Sequence, residues 1–139
     1  MIDLDKTRYY RKLFLIGAIW NWFVAILLLL ISLFMIDLAA SLLGMEIPPS
    51  LIWIHLIIGL IFAYGVGYYI IARDLTKNHG LVIIGIMEKY LFFIIFLIYY
   101  IFGDININAV LLVVPDFIFG CLYLEFIFDY KKIQKEKIS

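Results

Sequence analysis

Five polar side chains lie deep inside long apolar segments of this 139-residue chain, and they are Asn21, Tyr64, Glu88, Lys89 and Asp116. Counted at ~1.5 Å per residue from the basic end of each segment, all five lie at depths of roughly 12–20 Å. If the segments cross a membrane, such groups are costly and usually face the interior of a helix bundle, where they mark functional sites. An ammonium and carboxylates at one depth could bind the polar headgroup of a ligand or relay protons.

The pair Lys89 and Asp116 allows three interpretations. It forms a functional charge pair, or a structural clasp that orients two helices, or Lys89 extends to the membrane interface and leaves Asp116 protonated. Glu88 is a second carboxylate that one lysine cannot neutralise. We therefore expect Glu88 to be protonated, to face a water-filled cavity, or to point to a tyrosine hydroxyl or a neighbouring protomer.

The apolar segments around these residues dominate the composition. Hydrophobic residues make up 66% of the chain and charged residues 16%, against about 25% charged in soluble proteins. The mean hydropathy is +1.08, which excludes a soluble enzyme domain, a nucleic-acid-binding protein and a disordered tail. Four segments are each long enough to cross ~30 Å of hydrocarbon as a helix. They cover residues 13–36, 51–72, 80–102 and 109–128.

We expect these segments to form one all-α, polytopic membrane domain over residues 1–139. Helices satisfy their own backbone hydrogen bonds in lipid, and the short connections favour an up-down-up-down bundle of four transmembrane helices. In the longer connection, residues 38–46 are expected to form a short helix at the outer interface.

The distribution of basic residues predicts the orientation. Loops 37–50 and 103–108 contain no Lys or Arg, whereas the opposite side of the spans is basic. The basic residues are Lys6, Arg8, Arg11, Lys12, Arg73, Lys77, Lys131, Lys132, Lys135 and Lys137. This bias predicts that both termini lie in the cytoplasm. The Ile- and Lys-rich composition favours a prokaryotic cytoplasmic (inner) membrane.

Small residues at four-residue steps predict where the helices pack, because small side chains allow close approach in lipid. The predicted helix-packing residues are Gly17, Gly59, Ala63, Gly67, Gly85 and Gly120. Each lies on the helix face that also carries, or adjoins, one of the five polar residues.

The layout resembles the DoxX-like group of small four-helix membrane proteins. The resemblance covers the size, the four spans and the glycine-punctuated second span, here Gly59-Leu-Ile-Phe-Ala-Tyr-Gly-Val-Gly67. It implies a quinone or a membrane redox complex as partner, and it assigns no functional residue.

Three classes of function are compatible with these features. The first is a small membrane protein that binds an amphipathic ligand, a lipid or a quinone, or passes a small solute or proton at the polar layer. The second is a non-catalytic accessory or assembly subunit of a larger membrane complex, or a homo-oligomer. A membrane enzyme using Glu88 or Asp116 as acid or base is a third class. No nucleophile–base pair or metal-ligand set stands out, so no catalytic residue, metal or cofactor is expected. Membrane lipids are expected partners and nucleic acid is not.

Overall fold

The computed structural model describes the backbone of residues 4–138 and the side chains of residues 4–130. The side chains of Lys131, Lys132, Lys135 and Lys137, which contribute to the predicted orientation, lie outside the described residues. All regular secondary structure in the described chain is helical, without strands. Its helices are α1 (Leu4–Phe34), α2 (Ile36–Leu43), α3 (Ile52–Arg73), α4 (His79–Phe102) and α5 (Ile107–Ile138).

Four of these helices are long and apolar enough to cross a membrane, namely α1, α3, α4 and the Ile107–Tyr130 part of α5. This confirms the all-α fold with four apolar spans. Many large apolar side chains face outward, such as Phe34 at 78% and Phe102 at 77% exposed. Such a surface suits lipid and not water, so the fold is consistent with an integral membrane protein. The side of the membrane on which the termini lie stays a prediction.

The helix ends differ from the predicted spans because a helix does not stop where the apolar residues stop. The first helix begins at Leu4 and not at residue 13, since the charged segment before the apolar run continues the same helix. It ends at Phe34, where Met35 leaves the helical conformation. The predicted interfacial helix is α2, shifted to Ile36–Leu43 and ended by Gly44 in the left-handed conformation with φ 66°, which glycine adopts without strain.

The helices pack most closely as two pairs, α1 with α3 and α4 with α5. Within the α1–α3 pair, Gly65 lies against Trp22, and a Cβ at Gly65 would come 2.5 Å from the indole nitrogen. Within the α4–α5 pair, a Cβ at Gly120 would lie 3.4 Å from the Cβ of Lys89. Glycine therefore allows the close approach of helices inside each pair.

Contacts at both ends join the two pairs to each other. At one end, named the proximal end, the start of α1, the 74–78 turn and residues 123–130 of α5 enclose an aromatic core that includes Phe14, Tyr123 and Phe126. At the opposite, distal end, Asn106 and Asn108 donate hydrogen bonds to the Leu42 carbonyl of α2 at 2.8 and 3.0 Å. The middle of the interface between the pairs holds the charged groups.

Candidate functional site: a buried charge cluster between the helix pairs

Lys89 lies at the centre of a buried cluster formed by α1, α3, α4 and α5. The residue is 1% exposed. Its Nζ donates hydrogen bonds to Asp116 Oδ1 at 2.5 Å and to Asn21 Oδ1 at 2.8 Å, and lies 3.5 Å from Glu88 Oε2. The structure thus brings Lys89 and Asp116 together, and the lysine does not extend to the interface. We name Lys89, Asp116, Glu88, Asn21 and Tyr68 the Lys89 cluster.

Asn21 connects the two helix pairs. Its Oδ1 accepts from Lys89 on α4, while its Nδ2 donates to the Ile61 carbonyl on α3 at 3.2 Å. The residue is 1% exposed, so both ends of the amide are used inside the protein. An apolar side chain here would leave one of the lysine's hydrogens without its partner.

Glu88 takes its main hydrogen bond from Tyr68, a residue that the sequence analysis had not selected. The Tyr68 hydroxyl lies 2.8 Å from Glu88 Oε2 and 3.3 Å from the Gly85 carbonyl oxygen. Tyr68 and Glu88 are 1% and 6% exposed. Gly85 is required for this approach, since a Cβ there would lie 2.6 Å from the Tyr68 ring. A phenol has one hydrogen to donate, so only one of these two acceptors is served at a time.

The cluster holds one ammonium and two carboxylates. The three hydrogens of Lys89 face three protein oxygens, on Asp116, Asn21 and Glu88. With both carboxylates ionised, the cluster would carry one uncompensated negative charge among helices that face lipid. Burying an uncompensated charge costs several kcal/mol after relaxation.

Tyr64, the remaining member of the predicted polar layer, lies beside the cluster. It is half-buried and lines a shallow groove between α3 and α4 with Ala63, Gly67 and Tyr68. Its ring centroid is 6.3 Å from that of Tyr68. Tyr64 therefore borders the Tyr68–Glu88 contact from the lipid-facing side.

The predicted packing residues divide into two groups. Gly17, Gly85 and Gly120 each lie in close contact with another helix, Gly17 directly beneath the Tyr123 hydroxyl. Gly59 and Gly67 face open space, and Ala63 is exposed. The stripe Gly59, Ala63 and Gly67 therefore packs no helix among the described residues, and the close contact of α3 with α1 uses Gly65 instead. Gly65 lies about 200° around the helix from Gly67, at 100° per residue.

A second polar cluster occupies the proximal end. Tyr10 donates to Asp129 at 2.6 Å and lies 3.3 Å from Glu125, while Lys6 pairs with Asp129 at 2.8 Å. We name these four residues the Lys6 cluster. Of these four residues the sequence analysis named only Lys6, among the basic residues that predict the orientation, and it did not join Lys6 to the others. The available signal was the four-residue spacing of Lys6 and Tyr10 on α1 and of Glu125 and Asp129 on α5.

Tyr123 lies between the two clusters with its hydroxyl fully buried and without a hydrogen-bond partner. Its ring packs against Phe14 at 4.6 Å and Tyr68 at 5.0 Å between centroids. An unpartnered buried hydroxyl costs about 1–3 kcal/mol. It is one of few such groups in the described side chains.

The distal end offers one Ser–His contact. Ser32 Oγ lies 3.2 Å from His55 Nε2 and donates its hydrogen to the Leu29 carbonyl at 2.8 Å. The serine is therefore an acceptor for histidine, which is not the arrangement of an activated nucleophile. No group of three or more potential metal ligands occurs in the part of the chain that the structure describes.

No model of a known protein family matches this chain, and no curated protein or solved structure matches it. The resemblance to DoxX-like proteins stays a prediction. The function has to be argued from the Lys89 cluster itself.

Proposed function

We propose that this chain is an integral membrane protein that takes up and releases one proton at the Lys89 cluster. The observation that carries the proposal is the enclosure of two carboxylates around a single ammonium, with Nζ at 2.5 Å from Asp116 and 3.5 Å from Glu88. One bound proton makes the cluster neutral. Loss of that proton leaves the cluster with a single negative charge. The buried cluster can hold this charge only transiently, or when a positive charge nearby compensates it.

Glu88 is the carboxylate that carries the proton. Asp116 is the closer partner of Lys89 and accepts a hydrogen bond from its ammonium. At Glu88, the Tyr68 hydroxyl has two acceptors, Glu88 Oε2 and the Gly85 carbonyl. Ionised Glu88 accepts the phenol hydrogen. Protonated Glu88 donates its own hydrogen to the phenol oxygen, and the phenol rotates to donate to Gly85. Both states are fully hydrogen-bonded, so the exchange needs no movement of the helices.

The same contacts weigh against a ligand headgroup on Lys89. All three ammonium hydrogens already face protein oxygens, and the groove beside Tyr64 is shallow and lined mainly by apolar side chains. A lipid or quinone seated there would contact Tyr64 and not the ammonium. The geometry therefore favours the proton over an amphipathic ligand.

The proposal includes the location inferred from the basic residues. In a prokaryotic inner membrane with both termini in the cytoplasm, the proximal end faces the cytoplasm. Arg8, Arg11 and Lys12 are exposed on α1 at that end, where anionic headgroups favour them.

Infrared difference spectroscopy of the protein in lipid tests the proton at Glu88. We expect a protonated-carboxyl band that titrates with pH in the natural chain and is absent in Glu88→Gln. The matched control is Glu46→Gln, which changes an exposed glutamate in the loop after α2 and should keep the band. A band that persists in Glu88→Gln would contradict the proposal.

An accessory or homo-oligomeric role is the second candidate, supported by the outward stripe Gly59, Ala63 and Gly67 on α3. Small residues at this spacing let two helices approach in lipid, and nothing in the described chain occupies the stripe. Cross-linking in native membranes tests this role. A monomer without any protein neighbour, unchanged by Gly67→Leu, would eliminate it.

A further inference from the structure

Polar groups in the interior are distributed unequally on the two sides of the Lys89 cluster. Toward the distal end, the buried side chains are apolar until Ser32 near the end of α1. They are Ala25, Ile58, Ile61, Ala109, Val110 and Val113. Toward the proximal end lie the buried Tyr123 hydroxyl and then Tyr10, Glu125 and Asp129. Among the described side chains, a proton moving toward the distal end would meet no buried group that can accept it before Ser32.

Tyr123 lies between the Lys89 cluster and the Lys6 cluster, where its hydroxyl could pass a proton from one to the other. It lies seven residues after Asp116 on α5, which is about two turns and so the same helix face. Its hydroxyl lies against Gly17, whose missing side chain leaves room for it. The hydroxyl is buried and has no hydrogen-bond partner among the described residues, so its oxygen and its hydrogen are both open to a transient bond with a neighbouring group.

We propose that protons reach Glu88 from the proximal end only, by way of the Tyr123 hydroxyl. This inference rests on the proposed function. The Lys6 cluster supplies the proton. Tyr123 accepts a hydrogen on its oxygen and gives its own to Tyr68, and Tyr68 gives its own to Glu88. Each phenol is neutral before and after the transfer, and the net change is one proton lost at the proximal end and one gained at Glu88.

Aromatic rings close the route between Tyr10 and Tyr123. The Phe14 ring lies 4.6 Å from Tyr123 and 5.2 Å from Phe126, and Phe126 lies 5.0 Å from Tyr10, between centroids. A proton can pass this layer only when water enters between the rings. Uptake at Glu88 is therefore slower than proton exchange between water and the Lys6 cluster.

The groups that face Glu88 come from three helices. They are Lys89 on its own helix, Asp116 and Tyr123 on α5, and Tyr64 and Tyr68 on α3. Removing the Tyr123 hydroxyl changes no charge among them. Tyr123→Phe should thus alter the rate of proton uptake and leave the titration midpoint of Glu88 in place.

Time-resolved infrared spectroscopy of reconstituted vesicles tests the route. An affinity tag on the C-terminus separates vesicles with the termini outward from those with the termini inward, and an external pH jump then addresses one end at a time. We expect the Glu88 band to respond at once only with the termini outward. Tyr123→Phe should slow that response by at least about tenfold, and the control Tyr100→Phe, at an exposed tyrosine of α4, should not.

Each alternative result has a distinct meaning. An unchanged rate in Tyr123→Phe overturns the relay, and an equally fast response with the termini inward overturns the one-sided access. If the natural chain has no titrating band that depends on Glu88, the proposed function fails instead. Should Tyr123→Phe fail to fold, the two pH jumps on the natural chain still decide the side of access.

Discussion

Apart from Asn21, the Lys89 cluster contains the same set of groups as the Lys6 cluster, in different surroundings. Each has one lysine, two carboxylates and one tyrosine, and in each the lysine pairs with an aspartate of α5, at 2.5 Å for Lys89–Asp116 and 2.8 Å for Lys6–Asp129. The side chains of the first pair are 2% and 18% exposed, and those of the second are 57% and 26% exposed. The chemistry is alike and the burial is not.

Under the proposed function, the two clusters differ because of burial and not because of the choice of residues. At the proximal end, water and headgroups can compensate a surplus negative charge. In the interior, only a proton on Glu88 can compensate it. We therefore expect these groups to contribute little to stability in the exposed Lys6 cluster and much in the buried Lys89 cluster.

The largest expected effect separates the two lysines. Lys89→Met leaves Asp116 and Glu88 buried without a cation and should destabilise the fold by about 3–5 kcal/mol. Lys6→Met removes a largely exposed partner and should cost ~1 kcal/mol or less. Reversible unfolding in mixed detergent micelles measures both values. Equal losses would show that burial does not distinguish the clusters, and the double variant Lys89→Met/Asp116→Asn should recover part of the first loss.

The next effect concerns the close approach of the Tyr68 ring to Gly85, which occurs only in the Lys89 cluster. Gly85→Ala pushes the Tyr68 ring away from Glu88 and should cost about 2 kcal/mol. Gly67→Ala, on the face of α3 that meets open space, is the matched control and should be neutral or slightly stabilising, since alanine favours the helix. The same unfolding measurement applies. A neutral Gly85→Ala would mean that Tyr68 reaches Glu88 without the glycine.

A smaller effect distinguishes the two tyrosines. Tyr68→Phe leaves Glu88 without its hydroxyl partner in a buried site and should cost about 1.5 kcal/mol, whereas Tyr10→Phe should cost about 0.5 kcal/mol, since Asp129 keeps its contact with Lys6. Infrared spectra should also show a shifted carboxyl band in Tyr68→Phe alone. If Tyr10→Phe proves the more damaging change, the proximal cluster is the more important of the two.

The smallest effect concerns Asp74, a carboxylate that lies outside both clusters in an exposed turn. In the turn after α3, the Thr76 hydroxyl and backbone N–H bond Asp74 at 2.7 and 3.0 Å, and with Lys77 they lower the pKa of Asp74 from 3.8 to about 2. The stabilisation is fully present above pH 3.8 and is lost as the pH falls through about 2. Thr76→Ala should return the pKa toward 3.8, as measured by NMR titration, and a pKa unchanged in this variant would assign the effect to Lys77.

The sequence predicted the parts of the structure that the lipid environment dictates. Four spans follow from the cost of unpaired backbone in hydrocarbon, and the shared depth of Asn21, Lys89 and Asp116 anticipated their contact. It did not predict Tyr68, because tyrosine is common near membrane interfaces and its role depends on how α3 is rotated. The same rotation separates Gly65, which packs, from Gly67, which does not. The rotation of a helix about its axis depends on side-chain packing against other helices. The spacing of residues along one helix gives no information about that packing.

The distal end joins two connections that lie far apart in the chain. At the end of α2, the N–H groups of Gly44 and Met45 bond the carbonyls of Ser41 and Ala40. The next two carbonyls, on Leu42 and Leu43, receive their hydrogen bonds from Asn106 and Asn108. The two asparagines thus complete the end of α2 across 64 and 66 residues of sequence, and the α4–α5 connection holds the connection after α1 in place.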